Sequence, residues 1–314
     1  MRRLTLTAAV RGILIVGGGL AMAGCAAVPV VVPPPAPVIA PAPPPETPKS
    51  AAARAYFAQV QANLLSRGQL RTDVEAPDAP FTDRTLAEAF LRVALYDEFQ
   101  PGVTGPVALE TASRLRRWQA PVRVALRFGA SVPEDRRAIE RARVASYLAR
   151  MSRVTGHPIR LSDAAPNFQI HIVSEDERAA LGPAVALAMP GLSDNEVGDI
   201  LNLPATTYCQ VSVTADPKTS VYLRAFAVLR AENPDILHQS CLNEEIAQAL
   251  GLPNDSPRAR PSIFNDDQEF ALLTPMDELM LRILYDPRLR PGMTEAEARP
   301  IVELIATELM GGGV

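Results

Sequence analysis

The stretch Leu237-His-Gln-Ser-Cys-Leu-Asn-Glu-Glu-Ile-Ala-Gln-Ala-Leu-Gly-Leu-Pro-Asn-Asp-Ser256 constrains this chain more than any other. Leu237, Cys241, Leu242, Ile246, Ala249 and Leu250 recur at helical spacing, so the segment is an amphipathic helix with one buried face. Gly251 can take the left-handed conformation that ends a helix, and Pro253 forbids its continuation. Glu244 and Gln248 are four residues apart and share a face, with Glu245 beside them. Polar side chains held in a fixed row on a buried helix are the raw material of a site.

Ahead of the folded part, residues 1–24 read as a targeting segment. Arg2 and Arg3 give a basic start, and an apolar core around Ile13 to Val16 is too short to span a bilayer and right for a signal peptide. Met22-Ala23-Gly24-Cys25 resembles the lipobox of bacterial lipoproteins. That resemblance implies cleavage before Cys25 and acylation of it, which would hold the protein on a membrane. The alternative is an ordinary secretory signal followed by a chance cysteine. Ala26 stands where an inner-membrane retention signal would place Asp, so the outer membrane is favoured over the inner, with the protein facing the periplasm. Residues 25–49 are a linker holding ten of the thirty prolines. The Pro-, Ala- and Val-rich run from Val28 to Pro48, roughly twenty residues, adopts extended polyproline II and, at about 3.1 Å per residue, spans roughly 60 Å.

Two parts are expected beyond it: a helical segment over 50–116 and a larger unit over 117–314. In the first, helices are expected from Ser50 to Arg71, from Thr82 to Phe99, and from Leu109 to Trp118, with 101–106 as a loop. In the second, Val122–Phe128 and Phe168–Val173 alternate as strands. A long helix starts after Pro133, and a short one runs from Glu175 to Leu181. Residues 183–204 carry too many Gly and Pro to assign. Thr206–Thr214 and Val221–Leu229 form a hairpin, the Leu237–Leu250 helix follows, and two helices close the chain, the last with a Thr294/Glu297 capping box.

The formal charge of −4 leaves no basic excess to neutralise phosphates, so nucleic acid is not an expected partner. No Gly-rich phosphate loop and no G-x-S-x-G elbow is present. The histidines are His157, His171 and His238. The first precedes Pro in a turn, the second alternates on a strand and is expected to face away from the core, and the third lies too far from Glu244 to replace it in a ligand set.

In the register E244-E245-x-x-Q248-x-x-G251-x-x-N254, the central helix resembles the zinc-peptidase motif H-E-x-x-H-x-x-G-x-x-H/D. Glu245 and Gly251 match; Glu244, Gln248 and Asn254 stand where the three metal ligands belong. Arg117-Trp118…Pro121-Val122-Arg123-Val124 resembles the start of a matrixin-like catalytic domain, Pro261-Ser-Ile-Phe264-Asn-Asp lies where that family places its Met-turn, with Phe264 standing in for Met, and Thr274-Pro-Met-Asp277…Leu284-Tyr285 resembles the closing helix. The chain also resembles a family of bacterial envelope lipoproteins catalogued as domain of unknown function 2927, at E-E-x-A-Q-x-L-G-L-x-N-D, S-I-F-N-D-D and L-Y-D-P-R-L.

These resemblances imply an α+β fold of zincin-like, metzincin-type architecture with additional N-terminal helices. They imply a degenerate site as well. Three neutral imidazoles hold a catalytic zinc, whereas Glu244, Gln248 and Asn254 offer oxygen, which suits calcium better. The expected function is therefore non-catalytic, with no cofactor and no metal: a peptide, protein or cell-wall partner bound in the former substrate cleft. One alternative is an unconventional metallopeptidase with zinc or calcium and Glu245 as general base; another is a purely structural lipoprotein. Cys209 and Cys241 lie on elements that pack together in a zincin, which implies a disulfide between them. Two buried free thiols are the other possibility.

Overall fold

The computed structural model describes residues 44–102 and 105–311. Residues 1–24, read above as a targeting segment, Cys25 and most of the expected Pro-rich linker lie outside the described residues. Helix α1 (Pro48–Ser66) begins slightly earlier than expected, because the Thr47 hydroxyl accepts from the Ser50 amide and Pro48 fits the first turn. Helix α2 (Asp83–Leu95) is closed at its start by a Thr82/Thr85 capping box.

The sequence reading fails next. In place of a loop and a third helix, α2 runs into an antiparallel hairpin, β1 (Tyr96–Gly102) and β2 (Gly105–Ala112). Pro101-Gly102 and Gly105-Pro106 are turn dipeptides, and they sit between residues such as Tyr96 and Thr111 that prefer extended backbone. The apolar residues from Leu109 onward had suggested helical spacing, but turn chemistry decides the outcome.

Strand β3 (Val122–Phe128) and helix α3 (Glu134–Thr155, ended by left-handed Gly156) agree with expectation, as does β5 (Phe168–Val173). Strand β4 (Ile159–Leu161) has three residues, too few to show an alternation. The segment that resisted assignment is helical. After α4 (Glu175–Arg178) and a 3-10 turn come α5 (Gly182–Ala188) and α6 (Asp194–Leu201), the latter with a Ser193/Glu196 capping box. The edge hairpin is β6 (Cys209–Ala215) and β7 (Tyr222–Arg230), followed by α7 (Asp235–Leu250), α8 (Pro275–Tyr285) and α9 (Glu295–Leu309).

The architecture is α+β around a mixed five-stranded sheet, in the order β4-β3-β5-β7-β6. The first four strands are parallel and β6 runs antiparallel to β7 at the edge. Alternation along β7 sets the two faces of the sheet. Ala225, Ala227 and Leu229 enter the main core, shared with α2, α3, α7, α8 and α9, while Phe226 and Val228 pack with Val173, Val185, Met189 and Ile200 beneath α5 and α6. A third cluster seats Phe57 and Leu64 of α1, with Leu70, on Leu237 and Ala271. Among the described residues no helix is long and apolar enough to cross a membrane.

Candidate functional site: the cleft between β6 and α7

Helix α7 is held in place at both ends. At its start the Leu237 amide donates to Gln61 Oε1 of α1 at 3.0 Å, which satisfies one of the amides a helix leaves open there. At its end Trp118 Nε1 donates to the Ala249 carbonyl at 2.7 Å and Tyr285 Oη to the Leu250 carbonyl at 2.9 Å. Gly251, at φ 126°, then turns the chain where no Cβ fits: one built there would lie 2.5 Å from the Arg116 carbonyl oxygen. Arg117 donates to the Asp286 and Leu289 carbonyls at 3.2 and 2.8 Å, so the segment 116–118 joins the C-terminal ends of α7 and α8.

A disulfide ties Cys241 to Cys209, with Cα atoms 5.8 Å apart, and so fixes α7 to the edge strand. Between the two elements lies a cleft of about 420 Å³. Tyr208 to Val211 form one wall, Glu244, Glu245 and Gln248 project from α7, and Asp255 and Gln268 close the far side. Glu245 is buried; Glu244 and Gln248 are half-buried and in weak contact, Nε2 to Oε1 at 3.5 Å.

Three of the sequence-derived positions therefore meet in one cleft, and the fourth does not. Asn254 is buried against α2, where its Nδ2 donates to the Arg92 carbonyl at 3.0 Å and its amide to the Val93 carbonyl at 3.1 Å. Its neighbour Asp255 reaches the cleft instead. Two adjacent oxygen-bearing residues exchange roles at the turn after Gly251, a choice that spacing alone does not reveal.

The histidines are engaged elsewhere. His157 Nε2 lies 2.9 Å from the Ala120 carbonyl. His171 is buried, not turned to solvent as expected. It stacks on Phe226 with centroids 4.5 Å apart on the second face of the sheet, and burial, with Arg127 nearby, lowers its pKa to about 4. His238 is fully buried at the start of α7, 3.2 Å from Glu140 of α3. The Glu140 carboxyl is held below its ordinary range because His238, Arg143 and Arg136 outweigh the desolvation that would raise it. Nothing local in the sequence signals that pair, which joins residues nearly a hundred positions apart. The cleft's donors are thus carboxylate and amide oxygens with no imidazole, a set that does not fit a catalytic zinc.

The loop over 261–266 is pinned from below. Phe264 is buried in the main core with Ile246 and Leu250. Fully buried Asp277, at the start of α8, accepts from the Ser262 hydroxyl, the Ile263 amide at 3.2 Å, and the Thr274 amide and hydroxyl, both at 2.8 Å. Burial raises its pKa to about 6, and these donors oppose the shift.

Fold and cleft together define an α+β protein with an oxygen-lined cleft beside an edge strand. The chain belongs to the family described as Protein of unknown function (DUF2927), whose sequence model matches residues 83–304. No curated protein and no solved structure matches the chain.

Proposed function

We propose that this is a non-catalytic, lipid-anchored envelope protein with a degenerate zincin-like fold that binds an extended peptide, or a protein segment, in its former substrate cleft. Four parallel strands with an antiparallel edge strand, in this order across the sheet, and a site helix that follows β7 in the chain support the zincin-like reading. The single observation that carries the functional part is the position of Asn254. It is committed to the backbone of α2, so the third ligand position of the inherited motif does not reach the cleft. Glu245 stands where a general base would, but the oxygen donors around it are not the ligand set that holds a catalytic zinc and activates its water. What remains usable is the cleft and the adjoining strand edge, which recognise extended chains through main-chain hydrogen bonds.

Attachment through Cys25 and a periplasmic, outer-membrane location belong to the same proposal and rest on the lipobox-like sequence. A second reading, an unconventional metallopeptidase using calcium or zinc, draws on Asp255, which adds a further oxygen beside Glu244 and Glu245.

The test is metal content by plasma mass spectrometry on the full chain purified without chelator, with peptide-hydrolysis assays on wild type and Glu245→Gln. One metal ion per chain, with hydrolysis lost in Glu245→Gln, overturns the non-catalytic reading. No hydrolysis, with peptide binding intact in Glu245→Gln, upholds it. Neither hydrolysis nor binding leaves a purely structural lipoprotein.

A further inference from the structure

The second face of the sheet, the one that carries α5 and α6, is covered only in part. Those helices pack on Val173, Phe226 and Val228. Toward the starts of β3 and β7, a row of residues on the same face stays open. In β4, Ile159 and Leu161 turn to the main core, so Arg160 between them points the other way. In β3, Val122 and Val124 enter the main core, which puts Arg123 on the second face as well. In β7, Arg224 precedes the core residue Ala225 and pairs with Thr214 of β6.

Register brings these arginines into line. Arg123 and Arg160 are direct cross-strand partners. Asn167 comes next: its amide donates to the Arg123 carbonyl, and its carbonyl accepts from the Ala225 amide beside Arg224. Adjacent strands lie about 4.8 Å apart, so the row Arg160, Arg123, Arg224 spans roughly 14 Å. Arg123 Nε donates to the Ala165 carbonyl at 2.6 Å and Arg224 Nη1 to the Leu223 carbonyl at 3.3 Å, while Arg160 has no hydrogen bond or ion pair among the described residues. The neighbouring Arg127 is, by contrast, paired with Asp163. Like charges directly opposite each other in a sheet cost stability. The chain has 35 acidic residues, yet among the described ones none pairs with this row, so its charge is answered from outside the chain.

We infer that this face binds an acidic segment of a protein partner, laid across the starts of β4, β3 and β7. The site is separate from the cleft and does not depend on what the cleft binds. Guanidinium groups take carboxylates through paired hydrogen bonds. An extended chain advances about 13 Å in four residues, so alternate carboxylates on one side of it cover the row. Leu223, the extra residue at the bulge opposite Thr214 and Ala215, is 47% exposed beside Arg224 and offers the apolar contact a protein chain can use. The rings of His171 and Phe226 on this face are buried and cannot stack on a sugar. Helices α5 and α6 form a layer roughly 10 Å thick on the same face, which holds a flat lipid surface away from the row.

The test measures fluorescence anisotropy of labelled, end-blocked Glu-Ser-Glu-Ser-Glu and Gln-Ser-Gln-Ser-Gln against the full chain in a zwitterionic detergent. The acidic peptide is expected to bind at least about ten-fold tighter, an advantage that shrinks as salt is raised. The triple substitution Arg123→Gln/Arg160→Gln/Arg224→Gln is expected to abolish the advantage. Arg67→Gln/Arg84→Gln/Arg258→Gln, which removes the same charge from exposed positions elsewhere, is expected to keep it. Arg160→Gln alone should weaken binding and leave the melting temperature unchanged or higher, because a repulsion goes with it. Equal affinity for the two peptides overturns the inference. So does an advantage that survives the first triple substitution, or one that both triple substitutions remove alike. Competition by polygalacturonate or by micelle-dispersed phosphatidylglycerol that is stronger than by the unlabelled acidic peptide overturns the choice of a protein partner. The comparison between peptides on the unmodified protein does not depend on any variant folding.

Discussion

The indole nitrogen of Trp118 lies 2.7 Å from the carbonyl oxygen of Ala249, and this one bond seals the end of α7 from a residue more than a hundred positions earlier in the chain. Trp118 is 2% exposed, so neither partner has water to fall back on. Replacing it by Phe keeps most of the apolar contact and orphans a buried carbonyl. The expected loss is about 1–3 kcal/mol in urea unfolding, with Tyr285→Phe costing a similar amount through Leu250. A loss below about 0.5 kcal/mol in both variants would mean that the end of α7 does not depend on these donors.

Gly251→Ala is expected to be worse. The residue sits at positive φ and its new Cβ would press on the Arg116 carbonyl and on Leu284. Backbone strain and overpacking add, so a loss of about 3 kcal/mol or more is expected, read as a lowered melting temperature. A neutral outcome would show that the turn relaxes without disturbing 116–118.

The Cys209–Cys241 bridge closes a loop with a sequence separation of 32. On the chain-entropy account, the double substitution Cys209→Ser/Cys241→Ser should cost roughly 3.5–4 kcal/mol, less any compensation in the unfolded chain. The same shift should follow when wild type is reduced, and reduction should leave the double variant unmoved. Under the peptide-binding proposal, affinity is expected to fall as well, since the bridge ties the two elements that line the cleft.

Asp277 and His171 give the stability profile opposite slopes over overlapping pH ranges, so in wild type they largely offset each other. Asp277 has a folded pKa of about 6 against 3.8 unfolded, so between those values the folded form holds a proton the unfolded form lacks. Its contribution is present below pH 4 and is lost as pH rises to 6, by about 3 kcal/mol. His171 has a folded pKa of about 4 against 6.5, so the unfolded form holds the extra proton, and its contribution is lost as pH falls from 6.5 to 4, again by about 3 kcal/mol. Relative to wild type, Asp277→Asn should gain ground from pH 4 to 7 and His171→Phe should gain ground from pH 7 to 4. Chemical unfolding at several pH values checks both signs.

Local signals read well. The stop at Gly251, the start of α3 after Pro133 and the capping box at Thr294 are each decided by residues within a few positions of one another, as is the alternation of Phe168–Val173. The hairpin after α2 was lost because apolar residues from Leu109 onward also fit a helix, and only pairing with Tyr96–Gly102 decides between the two. In the cleft, Glu244, Glu245 and Gln248 are neighbours on one helix and were legible as a unit. Asn254 and Asp255 were not separable, because which of two adjacent side chains turns inward depends on where α2 lies. Motifs also say nothing of which side of β6 is unpaired; that follows from the whole sheet.

Helix α1 carries a mechanical consequence. Thr47 and Ser50 bond to Asp176 and Glu232, Phe57 meets Tyr208 edge-on, and Gln61 holds the first turn of α7. Any tension on the chain ahead of Pro48 is borne first by this helix. Since Tyr208 is also a wall of the cleft, a pull strong enough to peel α1 away would loosen that wall before it strained the sheet.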